Sequence, residues 1–153
     1  MKPLETTVEE VLRQAIQSEV ETRVYYQKLA ERTNDRAVKK RMLELADDEL
    51  LHRAKLERRY QEVIGKPAPD PGPVNIDLPW DLLDLDMGRA LKHALERERD
   101  SESHYRFMAE RVPNTELGRI FMELAEIEWK HKTDLQSEYD RTVADPEQFL
   151  LDM

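Results

Sequence analysis

Two short motifs in this chain set a carboxylate and an imidazole on one helical face. Glu49-Leu50-Leu51-His52 and Glu128-Trp129-Lys130-His131 share the Glu-x-x-His spacing, which places two side chains on adjacent turns. A further glutamate, Glu19 or Glu98, lies thirty residues upstream of each motif. Carboxylate oxygen and imidazole nitrogen are the donors that suit iron, manganese or zinc, rather than calcium or copper(I). A single Glu-x-x-His is a weak signal, because glutamate is common here and a surface pair explains it. Two copies in matching register, each with a matched upstream glutamate, are a much stronger one.

The matching extends well beyond the motifs. Displacing the chain by 79 residues brings Ala15, Glu19, Tyr26, Ala30, Glu31 and Arg32 onto Ala94, Glu98, Tyr105, Ala109, Glu110 and Arg111. It also brings Glu44, Leu45, Ala46, Glu49, His52, Leu56 and Tyr60 onto Glu123, Leu124, Ala125, Glu128, His131, Leu135 and Tyr139. Such self-similarity is the mark of a duplicated structural unit, here a helical hairpin, and predicts a pseudo-twofold axis. On a 3.6-residue period the glutamates, histidines and tyrosines share the apolar stripe of their helices. Four glutamates and two histidines therefore point into a core. A buried unpaired carboxylate is costly unless its charge is neutralised, and two divalent ions would balance four such charges. The alternative, an ion-paired structural network, needs buried cations, and the matched stripes hold no lysine or arginine at those levels.

Four long helices must position these residues. Helix A is expected over about 7–32, opened by Thr6 with Glu9 or Thr7 with Glu10 in capping-box spacing. Helix B is expected over about 35–63 after the break at Thr33-Asn34-Asp35, helix C over about 85–112 from Asp84 or Asp86, and helix D over about 115–141 after Pro113-Asn114-Thr115. Short breaks make A/B and C/D antiparallel neighbours. Between the pairs, about 64–83, the sequence GKPAPDPGP and Pro79 exclude helix and favour extended chain. About 20 extended residues reach roughly 60 Å, whereas a 26-residue helix is only about 39 Å long, so this crossover can run the length of the A/B pair. The expected fold class is all-α, a ferritin-like four-helix bundle made of two duplicated hairpins, occupying 1–153 as one domain.

Composition agrees with a helical protein. Of 153 residues, 37% are charged and 39% hydrophobic, with four glycines; turn residues are too sparse for a β-sandwich or barrel. The 33 acidic and 24 basic residues leave a net charge of −9, which opposes nucleic-acid and anionic-membrane partners. No stretch approaches the ~18–20 apolar residues of a bilayer span, and MKPLETTVEEV lacks the apolar core of a secretory signal. The chain has no cysteine, which excludes disulfides, thiolate catalysis and cysteine-held metal clusters, and makes a reducing cytoplasm the default location.

The paired Glu and Glu-x-x-His pattern, the tyrosines Tyr26 and Tyr105 seven residues after Glu19 and Glu98, and the long crossover resemble the ferritin-like two-metal carboxylate proteins. AIQSEVETRVYYQKLAER and FMELAEIEWKHKTDL are most similar to the rubrerythrin branch. The resemblance implies that Glu49 and Glu128 bridge two iron ions per chain, with manganese or zinc as substitutes. It likewise implies that Glu19 and Glu98 are terminal carboxylates, that His52 and His131 supply one nitrogen each, and that Tyr26 and Tyr105 orient the carboxylates. It further implies an oxidoreductase that reduces hydrogen peroxide or dioxygen, in a homodimer. The alternative is a ferritin-like protein that oxidises and handles or stores ferrous iron.

Two departures from that family pattern matter. Rubrerythrins usually end in a cysteine-ligated rubredoxin module, so a chain without cysteine implies a separate electron-donor protein. They also carry an extra glutamate one turn after the helix C ligand; here the third residue after Glu98 is Ser101, and Glu102 at the fourth is expected to point away. Tyr60 and Tyr139 read as core tyrosines, Trp129 as a packing residue, and His93 and His104 as surface groups or neighbours of the ligands. Glu44 and Glu123 read as solvated, as does ERERDSE at 96–102 apart from Glu98.

Overall fold

The computed structural model describes residues 7–78 and 85–144. Thr6, Pro79, Asp84 and the tail beyond 144, all of which enter the sequence expectations, lie outside the described residues. The fold is all-α. Helices α1 (Val8–Arg32), α2 (Arg36–Ile64), α3 (Met87–Arg111) and α4 (Glu116–Ala144) are its elements, with no strand among the described residues. They form two compact units, one holding α1 and α2 and the other α3 and α4.

Helix ends follow local chemistry. Thr7 Oγ1 accepts the Glu10 N–H at 3.1 Å, and Glu9 and Glu10 place negative charge at the start of α1, where the helix dipole favours it. The Asp35 carboxylate accepts from the N–H groups of Ala37 and Val38, closing the start of α2 only three residues after α1 ends. Gly65, at φ 86°, takes the left-handed conformation that ends α2, which glycine adopts without a Cβ clash. Asp86 caps α3 through the Arg89 N–H at 2.8 Å. In the α3–α4 turn Asn114 has φ 61°, while the Thr115 hydroxyl donates to the Val112 carbonyl and accepts from the Gly118 N–H. Gly118 packs so tightly against that carbonyl that a Cβ there would overlap the oxygen.

Each hairpin is antiparallel. In the first, the buried Tyr60 near the end of α2 donates its hydroxyl to Glu9 at the start of α1, at 2.9 Å. Leu12, Ala15, Ile16, Tyr26, Leu29, Met42, Leu45, Ala46 and Leu56 are buried on its two helices. In the second, Ala90, Leu91, Ala94, Tyr105, Ile120, Phe121, Leu124 and Leu135 are buried. The stripes expected from periodicity are the faces that pack.

The proline-rich crossover is pinned along α1. Gly72 donates its N–H to Gln17 Oε1 at 2.7 Å and accepts from Gln17 Nε2 at 3.3 Å. The Lys28 ammonium donates to the Ile76 carbonyl, and Arg32 to that of Leu78 at 2.7 Å. The partners climb α1 from 17 to 32 while the segment advances from 72 to 78, so it runs parallel to α1 over its length. An extended chain lacks internal hydrogen bonds; these long polar side chains supply them.

Candidate metal centre

The six ligands expected from sequence fall into two equivalent trios, one per hairpin. In the first, Glu19 on α1 faces Glu49 and His52 on α2; His52 Nδ1 lies 3.9 Å from Glu19 Oε2 and 3.5 Å from Glu49 Oε2. In the second, Glu98 on α3 faces Glu128 and His131 on α4; His131 Nδ1 lies 3.3 Å from Glu98 Oε2 and 3.6 Å from Glu128 Oε2. All four carboxylates are at most 6% exposed, and both histidine side chains are 17% exposed. Each trio is assembled by the Glu-x-x-His turn on one helix and by the antiparallel partner at the same level.

The second trio has the compactness of a cation site. One ligand atom from each of Glu98, Glu128 and His131 lies within 4.8 Å of the others. Burial disfavours a charged His131 ring, but hydrogen bonds and Coulomb attraction from Glu128 and Glu98 outweigh it and push its pKa up to about 11. The metal-free trio thus recruits a proton as its cation. Oxygen and nitrogen donors held this way, with excess negative charge and little water, fit iron, manganese or zinc.

Tyr26 and Tyr105 occupy equivalent core positions, 0% and 8% exposed. His104 is exposed and His93 half-buried, its pKa lowered chiefly by burial; neither joins a ligating cluster among the described residues. Glu44 and Glu123 are exposed, as expected. Trp129 is not a packing residue within its hairpin: it is 43% exposed, because a residue next to an inward-facing Glu128 is turned about 100° away.

Glu102 overturns its expectation. It does not point away; it is 6% exposed, because four residues advance a helix by only about 40° beyond a full turn and keep it on the Glu98 stripe. Its Oε1 lies 2.6 Å from Lys132 Nζ, and its Oε2 2.6 Å from Arg106 Nε. Arg106 also reaches Glu126, at 3.7 Å. Burial raises the Glu102 pKa, but Lys132 and Arg106 outweigh it, so the carboxyl sits below its ordinary value. The solvated stretch at 96–102 therefore has a second inward residue. The cations come from flanking positions, so the stripe itself shows no buried lysine or arginine. The Glu102/Arg106 spacing, with the acid N-terminal, was the available signal.

Among the described residues, no helix is long and apolar enough to cross a membrane. A search of curated proteins finds no match. Among solved structures the chain is similar to a hypothetical protein from Pyrococcus furiosus, at 27% identity and a TM-score of 0.59, covering 94% of each chain. The family profile described as Rubrerythrin matches residues 10–139, a span that takes in both trios and the crossover. On that match, and with carboxylate and histidine groups able to bind metal in its hairpins, the chain belongs to the rubrerythrin family, whose hallmark is a di-iron site.

Proposed function

We propose that Glu19, Glu49, His52, Glu98, Glu128 and His131 together hold two iron ions, and that the protein uses them to reduce hydrogen peroxide or dioxygen. The observation that carries this reading is the duplicated trio of two buried carboxylates and an imidazole, assembled at the same level in each hairpin. When bound, a pair of ferrous ions supplies two electrons to the oxidant. Reduction of hydrogen peroxide to two waters consumes those two electrons and two protons.

This chain's part is to bind and position. Glu49 and Glu128 would act as bridging carboxylates, Glu19, Glu98 and the histidines would each hold the metal from one side, and Tyr26 and Tyr105 would fix carboxylate orientation. A donor protein would supply the electrons, since these residues include no cysteine to hold a redox cluster. The protein works as a homodimer in the cytoplasm.

The test is an anaerobic ferrous titration followed by exposure of separate portions to peroxide and to dioxygen, read by near-ultraviolet absorbance. Saturation at two irons per chain with faster oxidation by peroxide supports the reading. Faster response to dioxygen with continued uptake of many irons favours iron handling instead. No saturable binding would sink the metal assignment altogether.

A further inference from the structure

The two hairpins carry opposite charge at the same place in the repeat. Helix α2 opens with Arg36, Lys39, Lys40 and Arg41 and has no acidic residue in its first turn, although the net charge of the chain is −9. Positive charge at a helix N-terminus opposes the helix dipole, and α1 and α4 open instead on Glu9, Glu10 and Glu116. Helix stability therefore gives no reason for the cations of α2. Arg36, Lys39 and Lys40 are exposed, and with Leu43 they follow the i, i+3, i+4, i+7 spacing of a single helical face. Leu43 is itself 45% exposed, an apolar side chain set beside three cations.

The 79-residue displacement places Leu43 on Met122, which is 40% exposed. Here the surroundings are acidic. A groove of about 650 Å³ lies at this end of the second hairpin, lined by Ala109 and Met122, by Glu110, Glu123 and Glu126, and by Arg119. Three carboxylates against one guanidinium leave it negative, and Glu110 and Glu123 are exposed. Each hairpin thus presents an apolar side chain to solvent at the equivalent position, flanked by cations in the first and by carboxylates in the second. Opposite charges around apolar centres are what two surfaces need to recognise each other.

We propose that the α2 face formed by Arg36, Lys39, Lys40 and Leu43 docks into the acidic groove around Met122 of a second copy of this chain. Leu43 enters the groove against Met122 and Ala109, and the lysines face Glu110 and Glu123. The apolar contact supplies the burial, and the charges select the partner surface. Because every copy carries both surfaces, a twofold pair makes the contact twice. This names the interface of the homodimer proposed above and rests on that reading.

The test is sedimentation velocity of the full chain as wild type, K39E/K40E, E110K/E123K and an equimolar mixture of the two variants. The wild type should sediment as a dimer. Each variant should raise the dimer Kd at least tenfold. E110K/E123K also lowers the net negative charge, so overall repulsion cannot account for its dissociation. In the mixture the reversed charges oppose each other again, and dimer should return. All four substituted side chains are exposed, and circular dichroism should show unchanged helix content. Dimers that both variants leave intact overturn this interface while the homodimer stands, and so does a mixture of dissociated variants that stays monomeric. A monomeric wild type overturns the homodimer and the interface together.

Discussion

Lys132 Nζ lies 2.6 Å from Glu102 Oε1, joining α4 to α3 one residue beyond His131 and one turn beyond Glu98. The contact gives the second hairpin a closed cluster of charge beside its metal ligands. A carboxylate engaged by Lys132 on one oxygen and Arg106 on the other has its main acceptor directions filled.

E102Q should therefore leave metal stoichiometry unchanged and lower stability by about 1–3 kcal/mol, since it weakens two charge-assisted bonds to a buried group. Denaturant midpoints and metal content of the two proteins measure both. Because the Glu102 pKa is lowered in the folded state, its contribution is present above the ordinary glutamate value and lost as pH falls through the folded one. The acid limb of the wild-type stability profile should be steeper than that of E102Q.

His131 works on the opposite side of the pH scale. Its folded pKa of about 11 is above the unfolded value, so in metal-free protein its contribution is complete below about 6.5 and fades as pH rises through about 11. Nitrogen NMR of the ring at pH 8 should show a doubly protonated imidazole in the metal-free protein. Metal loading should release that proton to the buffer.

Removing metal should lower the melting temperature, because ligand bound only by the folded state stabilises it by mass action. Chelator should do so in the wild type and have little effect on E49Q/E128Q, which lacks the two proposed bridging charges. Calorimetry of the four samples decides it; a wild type insensitive to chelator would count against buried acids that depend on metal.

Gly118→Ala should destabilise the second hairpin by about 1–3 kcal/mol, the usual cost of overpacking. The neighbour that must yield is the Val112 carbonyl, a backbone group in the turn, and cannot rotate aside as a side chain can. Thermal unfolding measures the loss.

Gln17→Ala should loosen the crossover, because one side chain makes both hydrogen bonds to Gly72. Limited proteolysis should cut between residues 66 and 78 faster in the variant, with a stability loss of about 1 kcal/mol, the typical value for such bonds.

Most of the framework is legible from residue types and spacing. Thr7, Asp35 and Asp86 cap helices because their side chains reach backbone N–H groups within three residues. Glu19, Glu49, Glu98 and Glu128 lie on apolar stripes because 3.6-residue geometry leaves them no other face, and the 79-residue repeat singles them out. These are local relations, carried by the order of residues along the chain. What the tertiary structure decided depends on neighbours distant in sequence. Glu102 turns inward with charge partners because α4 brings Lys132 across to it. Gly118 is required by a carbonyl that only the folded turn places against it. The crossover lies along α1 because Gln17, Lys28 and Arg32 are long enough to reach its backbone, a match of lengths and directions that exists only after the helices have packed.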